Sequence, residues 1–438
     1  MSHPGELRVS IVEGESLQQT DGVIGSAVDR RRQQVFQVLR GRNGALRFDQ
    51  DDLSKHVLFI GGIGTGKTNA MKHLVQSLLR RADADDVFVV FDTKGDFVRE
   101  FYRPGDAVIS SSPDSDRGGA RWNLFSDLLD EDRAERSDQI FEISSTIFGE
   151  ATSSAGQNYF FSAAARDIFA AVVEAMHRDE AAYSNADLRE QLESSADDLR
   201  DLLAEHPDLS GSARYLEGDR TPEQILAFLQ QTLNASFSGV FREEGRFSVR
   251  EFIRGKGNHT LFIEYDVSMG SRLSPIYRVL MDLAIKEALG LGRQGSPGNV
   301  FFVMDEFALL PKLSHIGDGI NFGRSLGLKF LVGTQNVNQV LHAYGSAVGA
   351  SILSGFGTML AFRLMDSGSR DLVRDRYGAN RKQITTFAAV RAEGVQQVTV
   401  LGNVIEDWDM SRLGRGECIV CFPEGPPRLF QFAEYTDR

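Results

Sequence analysis

The chain has 438 residues, of which 42% are hydrophobic and 25% charged, and its formal net charge at pH 7 is -13. That composition is normal for a globular protein, and the chain is too long for one ordinary core, so we expect two domains. Two cysteines exclude a disulfide-stabilised scaffold and suit a reducing compartment. No run approaches the roughly 18 apolar residues of a membrane span, so we expect a cytoplasmic protein. The acidic net charge argues against a surface that coats DNA broadly.

The first predicted element with a chemical signature is the strand Val57 to Ile60, which runs directly into a complete G-x-x-x-x-G-K-T phosphate-binding loop. The loop residues are Gly61, Gly62, Ile63, Gly64, Thr65, Gly66, Lys67 and Thr68. Its glycines let backbone N–H groups close around phosphates, Lys67 reaches the β- and γ-phosphates, and the Thr68 hydroxyl can hold Mg²⁺. Apolar residues at helical spacing follow, so a helix N-terminus faces the anion. The sequence therefore predicts binding of a nucleoside triphosphate, with ATP and Mg²⁺ as the expected cofactors.

Further short apolar runs alternate with helical patterns, which is typical of an α/β fold with a mostly parallel sheet flanked by helices. We predict the remaining strands at Val87 to Phe91, Ala107 to Ser110, Leu261 to Tyr265, Val300 to Met304, Phe330 to Val332 and Met359 to Phe362. Most of these runs are apolar on both faces, as buried parallel strands are.

Between Ser110 and Leu261 the pattern changes to a long, acidic and mostly helical region without a clear strand. Helix starts are indicated at Ser184 and at Thr221, which is followed by a proline at the first helical position. We interpret Gln157 to Ala235 as an inserted all-α domain whose acidic residues face solvent.

A second chemical motif is the apolar strand that ends in Asp305 and Glu306. Asp305, at the carboxyl end of a strand, is placed to bind Mg²⁺ through water, and Glu306 can polarise an attacking water. This pairing indicates hydrolysis rather than phosphate transfer to a small molecule. The alternative is an acidic turn after a buried strand.

Three further candidates keep two interpretations each. The segment Asp92 to Asp96 follows a predicted strand, so it belongs either to a site at the sheet edge or to a salt-bridged turn. Gln335 could sense the γ-phosphate or cap a turn. Arg324 could be an arginine finger offered to the nucleotide of a neighbouring subunit, or one half of a surface salt bridge.

The two cysteines, Cys418 and Cys421, lie in the apolar strand Glu417 to Phe422. Because side chains alternate along a strand, residues three apart face opposite ways. We therefore predict core packing rather than a redox or zinc site.

In the order and contexts of its motifs the chain resembles the type IV coupling proteins, of the HerA/FtsK superfamily of RecA-like motors, over roughly residues 45 to 435. The motifs that carry the resemblance are Gly61 to Thr68, Asp92 to Asp96, Asp305 to Lys312, Gly333 to Gln335 and Gly368 to Gly378. Arg121-Trp122-Asn123-Leu124 is similar to the W-N-P motif of the family, with Leu124 in place of the proline.

The resemblance implies an ATP-hydrolysing homo-hexamer that pumps DNA, often with a bound relaxase, toward a type IV secretion channel. It implies that Lys67 and Thr68 bind phosphate and Mg²⁺, that Asp305 and Glu306 are the Walker B pair, and that Arg324 and Gln335 are the trans arginine finger and the sensor glutamine. The implied fold is a RecA-like P-loop NTPase with an inserted all-α domain. Its predicted divisions are an N-terminal arm at 1–45, a nucleotide-binding domain in two parts at 46–156 and 236–438, and the all-α insertion at 157–235.

One departure is that the family members bound to membranes carry N-terminal transmembrane helices, whereas here about sixty mostly polar residues, including Asp29 to Arg32, precede the loop. We therefore expect at most peripheral docking at the inner face of the cell membrane. Two alternatives to a DNA translocase remain, namely a HerA- or VirB-type ATPase that powers protein secretion or pilus assembly, or a motor of DNA processing or defence. A nucleotide switch without motor activity fits the sequence least.

Overall fold

The computed structural model of the protein describes residues 7–19, 22–24, 35–42, 44–111, 119–128, 133–154, 159–179, 181–218, 221–310, 312–387 and 395–436. The chain divides into two compact units. The first unit comprises Met1–Ala82, Phe301–Pro311 and Ile320–Arg438, and the second comprises Asp83–Val300 and Lys312–Gly319. The predicted start of the all-α insertion, Gln157, and the basic stretch Asp29 to Arg32 lie outside the described residues.

The strands are, in chain order, β1 (Leu7–Glu13), β2 (Gln18–Gln19), β3 (Gly22–Ile24), β4 (Val35–Arg40), β5 (Gly44–Asp49), β6 (Val57–Ile60), β7 (Val87–Asp92), β8 (Ala107–Ile109), β9 (His259–Glu264), β10 (Val300–Met304), β11 (Leu328–Thr334), β12 (Thr358–Ala361), β13 (Ala379–Phe387), β14 (Val395–Asn403), β15 (Glu417–Cys421) and β16 (Arg428–Gln431).

The α-helices are α1 (Gln50–Ser54), α2 (Lys67–Leu79), α3 (Asp96–Phe101), α4 (Arg133–Ser154), α5 (Tyr159–Arg178), α6 (Asn185–Leu192), α7 (Ala196–Ala204), α8 (Ser210–Ala213), α9 (Thr221–Ser236), α10 (Val249–Gly255), α11 (Gly270–Arg293), α12 (Ile316–Phe322), α13 (Val337–Tyr344), α14 (Ser346–Ser354), α15 (Ser367–Asp375) and α16 (Asp407–Ser411).

The core of the first unit is a sheet with the strand order β2-β16-β15-β12-β6-β11-β10. The strand β6, which leads into the phosphate-binding loop, lies between β12 and β11, and both run parallel to it. Every residue of β6 and β11 is buried. Because both faces are covered, these strands are continuous apolar runs without alternation. All the predicted strands of the α/β pattern are present in the two units within two residues at either end, which confirms the fold class.

Two small sheets of the first unit, with the orders β1-β13-β14 and β3-β5-β4, are absent from the sequence-based prediction. The reason is visible in β13, whose sequence Ala-Asn-Arg-Lys-Gln-Ile-Thr-Thr-Phe is mostly polar, although it pairs antiparallel with β14 along its full length. An antiparallel sheet that is solvated does not require the apolar run or strict alternation by which a strand is detected in a sequence.

In the second unit, β9 lies between β7 and β8, and the three strands are parallel. Helices α4 to α10 follow β8, with α5 packed against α4 and α9, and no strand lies between β8 and β9 in the described part of that stretch. Ser184 caps α6 in a capping box with Asp187, and α9 begins at Thr221, so both predicted helix starts are confirmed. The domain limits predicted from the sequence stay predictions.

The second unit contains a fully buried carboxylate, Asp127, which accepts four hydrogen bonds. Its side chain accepts from the indole Nε1 of Trp122 at 2.6 Å, the hydroxyl of Ser248 at 2.7 Å, and the backbone N–H groups of Val249 at 3.2 Å and Arg250 at 2.9 Å. Burial raises the pKa of Asp127, and the hydrogen bonds oppose that rise. Asp127 thus joins the Trp122 segment to the start of α10.

The next residues of that segment are tied to α6. The amide of Asn185 donates to the carbonyl of Trp122 at 2.8 Å, and its oxygen accepts from the N–H of Leu124 at 2.9 Å. Asn123 donates to the carbonyl of Tyr183 at 2.9 Å. The Trp-Asn-Leu motif therefore has a structural role in this chain, as a link between two helix starts.

We expect Asp127→Ala to lower the free energy of unfolding of the second unit by about 3 kcal/mol, because buried donors lose their acceptor. The chain has two tryptophans, and Trp408 is exposed. In a Trp408→Phe background, the fluorescence of Trp122 during urea denaturation therefore reports this unit alone. The control Asp198→Ala removes a solvent-exposed carboxylate from the capping box of α7 and should shift the curve less. Equal shifts for the two variants would contradict the assigned role of Asp127.

Candidate nucleotide-binding site

The phosphate-binding loop connects the buried strand β6 to the helix α2. Gly64 and Gly66 have backbone φ angles of 72° and 112°, in the region that favours glycine. Gly66 caps α2 without a side-chain hydrogen bond, so no capping side chain lies between the helix N-terminus and an anion bound by the loop. Ile63 and Gly64 are exposed at the tip of the loop. This is the predicted strand–loop–helix context of a polyphosphate site.

Backbone hydrogen bonds hold the loop to two neighbouring strands. The N–H of Gly61 donates to the carbonyl of Thr334 at the end of β11, at 3.2 Å, and the N–H of Gly62 donates to the carbonyl of Arg363, after β12, at 3.1 Å. A Cβ atom at Gly61 would lie 2.6 Å from the Cβ of Phe362, so this contact admits only glycine.

A third support comes from the turn before β15. The N–H of Gly416 donates to the carbonyl of Thr65 at 2.8 Å, and a Cβ atom at Gly66 would meet the backbone of Gly416 at 3.0 Å. The contributions of Phe362, Arg363 and Gly416 are missing from the sequence-based prediction. The one signal was the glycine pair at 414 and 416 before a predicted strand, which is not specific.

Lys67 lies along the loop and is buried, with 8% of the residue exposed. Its ammonium group donates to the carbonyl of Gly61 at 2.5 Å and to that of Gly62 at 3.2 Å. The positive charge is therefore held over the loop rather than directed into solvent, in the place where the sequence predicts contact with the terminal phosphates.

Thr68 and Asp305 are brought together by the fold. The Thr68 hydroxyl donates to Oδ1 of Asp305 at 3.0 Å, and Asp305 is buried. A hydroxyl and a carboxylate are hard oxygen ligands of the kind that Mg²⁺ prefers, and Mg²⁺ takes its remaining ligands from phosphate and water. The two side chains fit the predicted metal site for this reason.

Glu306 and Gln335 form the adjacent pair. The amide Nε2 of Gln335, which follows β11, donates to Oε2 of Glu306 at 2.8 Å. A Cβ atom at Gly333 would lie 2.2 Å from the carbonyl oxygen of Asp305, so β11 approaches this backbone closely only because residue 333 is glycine. The fold thus places the candidate base and the candidate sensor in contact.

Arg324 pairs with a carboxylate outside the phosphate-binding loop. It lies in the 3₁₀ turn Gly323–Leu326 before β11, its side chain is 54% exposed, and its guanidinium donates to the carboxylate of Asp51 on α1 at 2.8 Å. Hydrogen bonds from Lys55 and Arg324 lower the pKa of Asp51. The surface salt bridge predicted as one alternative is present, and it leaves the guanidinium accessible.

The Asp92 segment has a role that neither sequence interpretation named. The buried carboxylate of Asp92 accepts hydrogen bonds from the backbone N–H groups of Lys94, Asp96, Phe97 and Val98, at 2.8 to 3.2 Å. It therefore anchors the start of α3 in the second unit, and both of its oxygens are engaged by backbone.

Both cysteines are free thiols buried in or near β15, as predicted for core packing. Burial raises the pKa of Cys421 to about 11, so this thiol stays protonated at neutral pH. Across the described residues no cluster of three His, Cys, Asp or Glu side chains has the arrangement of a metal site.

Comparison with known proteins gives three findings. Residues 42–428 match the model of the type IV secretion-system coupling protein DNA-binding domain. The coupling protein TraD of Escherichia coli (strain K12) is 24% identical over 329 residues, which are 74% of this chain and 43% of TraD, so the chain spans less than half the length of that relative.

Solved structures of the plasmid coupling protein TrwB have the same fold. The complex of TrwB with ADP and Mg²⁺ has a TM-score of 0.74 at 17% identity, over 100% of this chain and 97% of that one. The complex of TrwB with the ATP analogue ADPNP has a TM-score of 0.74 at 18% identity, over 99% and 96%. The expected RecA-like α/β architecture is consistent with this similarity. In the described portion of the chain, no helix is both long and apolar enough to cross a bilayer.

We expect Gly66→Ala to destabilise α2 and its loop by about 2 to 3 kcal/mol, because the new Cβ combines a strained φ with contact to the Gly416 backbone. Gly64→Ala is the matched control, since it has a positive φ but open space around the new atom, and it should cost about 1 kcal/mol. Hydrogen exchange of peptides covering α2, measured without nucleotide, separates the two. Equal exchange in both variants would show that the Gly416 contact contributes nothing.

Proposed function

Since this chain belongs to the family of the type IV secretion-system coupling protein DNA-binding domain, we propose that it is an ATP-hydrolysing motor that translocates DNA toward a conjugative channel. The observation that carries the proposal is the site in which Thr68 contacts Asp305 and Gln335 contacts Glu306, beside a complete phosphate-binding loop. A protein that only bound nucleotide would not need the second pair.

Each residue of the site has a place in the proposed hydrolysis. The loop N–H groups and Lys67 bind the phosphates, and Thr68 with Asp305 would hold Mg²⁺, which neutralises phosphate charge when bound. Glu306 accepts a proton from the attacking water, and Gln335 orients that water or reports the γ-phosphate. The contact between Gln335 and Glu306 supports a sensor that acts directly on the base.

The proposed assembly is a homo-hexamer in which Arg324 of one subunit completes the nucleotide site of the next. Support comes from the position of Arg324 in an exposed turn, where its partner Asp51 is itself exposed. An exposed ion pair contributes about 0 to 1 kcal/mol, so the guanidinium can exchange this carboxylate for a phosphate at low cost. The positive charge that Arg324 supplies to the nucleotide site would then be present only when two subunits are in contact.

The proposed cargo is DNA, carried through a channel that needs positive charge only on its lining, which is compatible with the net charge of -13. The acidic helical region between residues 157 and 235 is the proposed face for a basic partner such as a relaxase. We propose that the protein works in the cytoplasm and docks peripherally on membrane components of a type IV secretion system.

The test of the function is ATP hydrolysis with and without single- and double-stranded DNA at two salt concentrations. We expect stimulation by DNA that weakens at high salt, because phosphate contacts are screened. Glu306→Gln should bind ATP with unchanged affinity and lose roughly a thousandfold in turnover, because the base is neutralised. Glu243→Gln, which neutralises an exposed carboxylate paired with Arg121, is the matched control and should leave turnover intact.

Two outcomes would contradict these assignments. Undiminished hydrolysis by Glu306→Gln would remove the base from this residue. Basal hydrolysis that no DNA stimulates would favour a motor that moves protein, as in secretion or pilus assembly, over a DNA translocase.

We expect Arg324→Ala subunits to assemble, to hydrolyse ATP roughly a thousandfold more slowly, and to inhibit wild-type subunits when the two are mixed before assembly. Asp51→Asn breaks the same surface pair and leaves the guanidinium in place, so it should keep its activity. Turnover is measured across a series of mixing ratios. Activity that falls only in proportion to the wild-type fraction would rule out the trans role.

A further inference from the structure

The strand order of the first unit indicates which way a bound nucleotide lies across the phosphate-binding loop. The strand β6, which leads into the loop, has β11 and then β10 on one side, and β12 and then β15 on the other. The candidate hydrolytic residues Asp305, Glu306 and Gln335 directly follow β10 and β11. In the proposed site, Mg²⁺ and the γ-phosphate lie beside these residues. The nucleoside end of the nucleotide therefore leaves the loop on the opposite side, toward β12 and β15.

On that opposite side, the loop is in contact with the Arg415 turn, which is formed by residues 414–417 at the start of β15. The N–H of Gly416 donates to the carbonyl of Thr65 at 2.8 Å. A Cβ atom at Gly66 would lie 3.0 Å from the Cα of Gly416. The turn is thus packed directly against the backbone of the loop.

Arg415 is the second residue of this turn, and it is exposed. The turn is closed by two hydrogen bonds, from the N–H of Glu417 to the carbonyl of Gly414 at 3.2 Å and from the N–H of Gly414 to Oε2 of Glu417 at 2.7 Å. The carbonyl of Gly416 also accepts the N–H of Phe432 at 2.9 Å. Among the described residues, the side chain of Arg415 has no hydrogen-bond or ion-pair partner. A well-anchored backbone therefore carries a guanidinium that is available to a ligand.

Arg415 is within reach of a nucleotide that the loop holds. Because consecutive Cα atoms are 3.8 Å apart, the Cα of Arg415 lies within about 7 Å of the position of a Cβ atom at Gly66. The carbonyl of Thr65 points to the Arg415 turn, and a loop that directs its N–H groups at phosphates directs its carbonyls away from them. Arg415 therefore approaches from outside the phosphate cavity, on the side where the nucleoside leaves the loop.

The polar side chain at the helix start on the same side is already engaged within the chain. Asn69, in the first turn of α2, donates from its amide to the carbonyl of Ala433 at 2.9 Å, and its oxygen accepts the N–H of Tyr435 at 2.7 Å. The ring Nε2 of His73 donates to the same Ala433 carbonyl at 3.0 Å. With both ends of its amide used, Asn69 is not placed to recognise the edge of a base. The contacts favour recognition of the base by its face.

We propose that the guanidinium of Arg415 stacks on the base of the bound nucleotide and forms the base subsite of the site. A planar guanidinium stacks on aromatic faces, and every base has such a face whichever groups its edge carries. Arg415 therefore binds adenine and guanine alike, and the site is selective for the triphosphate rather than for the base. This inference rests on the proposed binding of a nucleoside triphosphate at the loop.

The test is titration calorimetry of the protein in the presence of Mg²⁺ with ATP, with GTP and with inorganic tripolyphosphate, which carries the phosphates without a nucleoside. We expect Arg415→Ala to raise the Kd for ATP and for GTP roughly tenfold, because the stacking contact is lost. The Kd for tripolyphosphate should be unchanged, and this result also shows that the loop of the variant is folded. Arg412→Ala removes another exposed arginine three residues earlier and is the matched control, with all three Kd values unchanged.

Two further variants separate stacking from charge. Arg415→Tyr keeps a planar group without the charge and should restore most of the affinity for ATP. Arg415→Lys keeps the charge without the plane and should recover little of it.

Four results would each overturn the inference while leaving the proposed function in place. They are unchanged affinities in Arg415→Ala, a loss for tripolyphosphate as large as that for ATP, a loss for ATP without one for GTP, and rescue by lysine but not by tyrosine. A wild-type protein that binds neither ATP nor tripolyphosphate would overturn both the inference and the proposed function.

Discussion

The site depends on how closely β11 approaches the end of β10, and this approach is possible only because residue 333 is glycine. A Cβ atom there would lie 2.2 Å from the carbonyl oxygen of Asp305. From this contact follow the two interactions that define the site. The carbonyl of Thr334 accepts a hydrogen bond from the N–H of Gly61, and the side-chain amide of Gln335 donates one to Glu306. A larger residue would push the strand away from Asp305 and would separate Gln335, the proposed sensor, from Glu306, the proposed base.

Carboxylates at strand ends serve two different purposes in this chain. Asp92 is the last residue of the buried strand β7 and Asp305 directly follows the buried strand β10, so the two carboxylates have similar local sequences. Asp92 is surrounded by the N–H groups of a helix start and has become part of the backbone framework. Asp305 faces a hydroxyl instead, and its neighbour Glu306 bonds to an amide side chain. The groups that surround each carboxylate, backbone N–H groups for Asp92 and side chains for Asp305 and Glu306, distinguish the two, although both lie at the carboxyl end of a parallel strand.

The sequence predicts the buried parallel strands well, because burial on both faces leaves continuous apolar runs, and it predicts the loop because phosphate binding requires particular residues at fixed spacing. It does not predict the strands β13 and β14, whose pairing needs few apolar residues. It also misses the supports of the loop at Arg363 and Gly416, which act through backbone atoms that any residue has. Contacts made by backbone across hundreds of residues leave no local pattern, so only the folded structure reveals them.

The phosphate-binding loop is held firmly in the fold, whereas Arg324 is held weakly. The loop is fixed by backbone hydrogen bonds from three directions, and Asp305 and Glu306, with their proposed metal and base roles, directly follow the buried strand β10. Arg324 is attached differently, through an exposed ion pair whose two side chains are 54% and 44% exposed. Breaking such an exposed pair costs little free energy. In the proposed assembly, Arg324 can therefore leave Asp51 and contact another subunit without disruption of the core. If Arg324 acts in trans, ATP binding can be complete in each subunit while hydrolysis waits for a neighbour, because the group that stabilises the transition state arrives only with assembly.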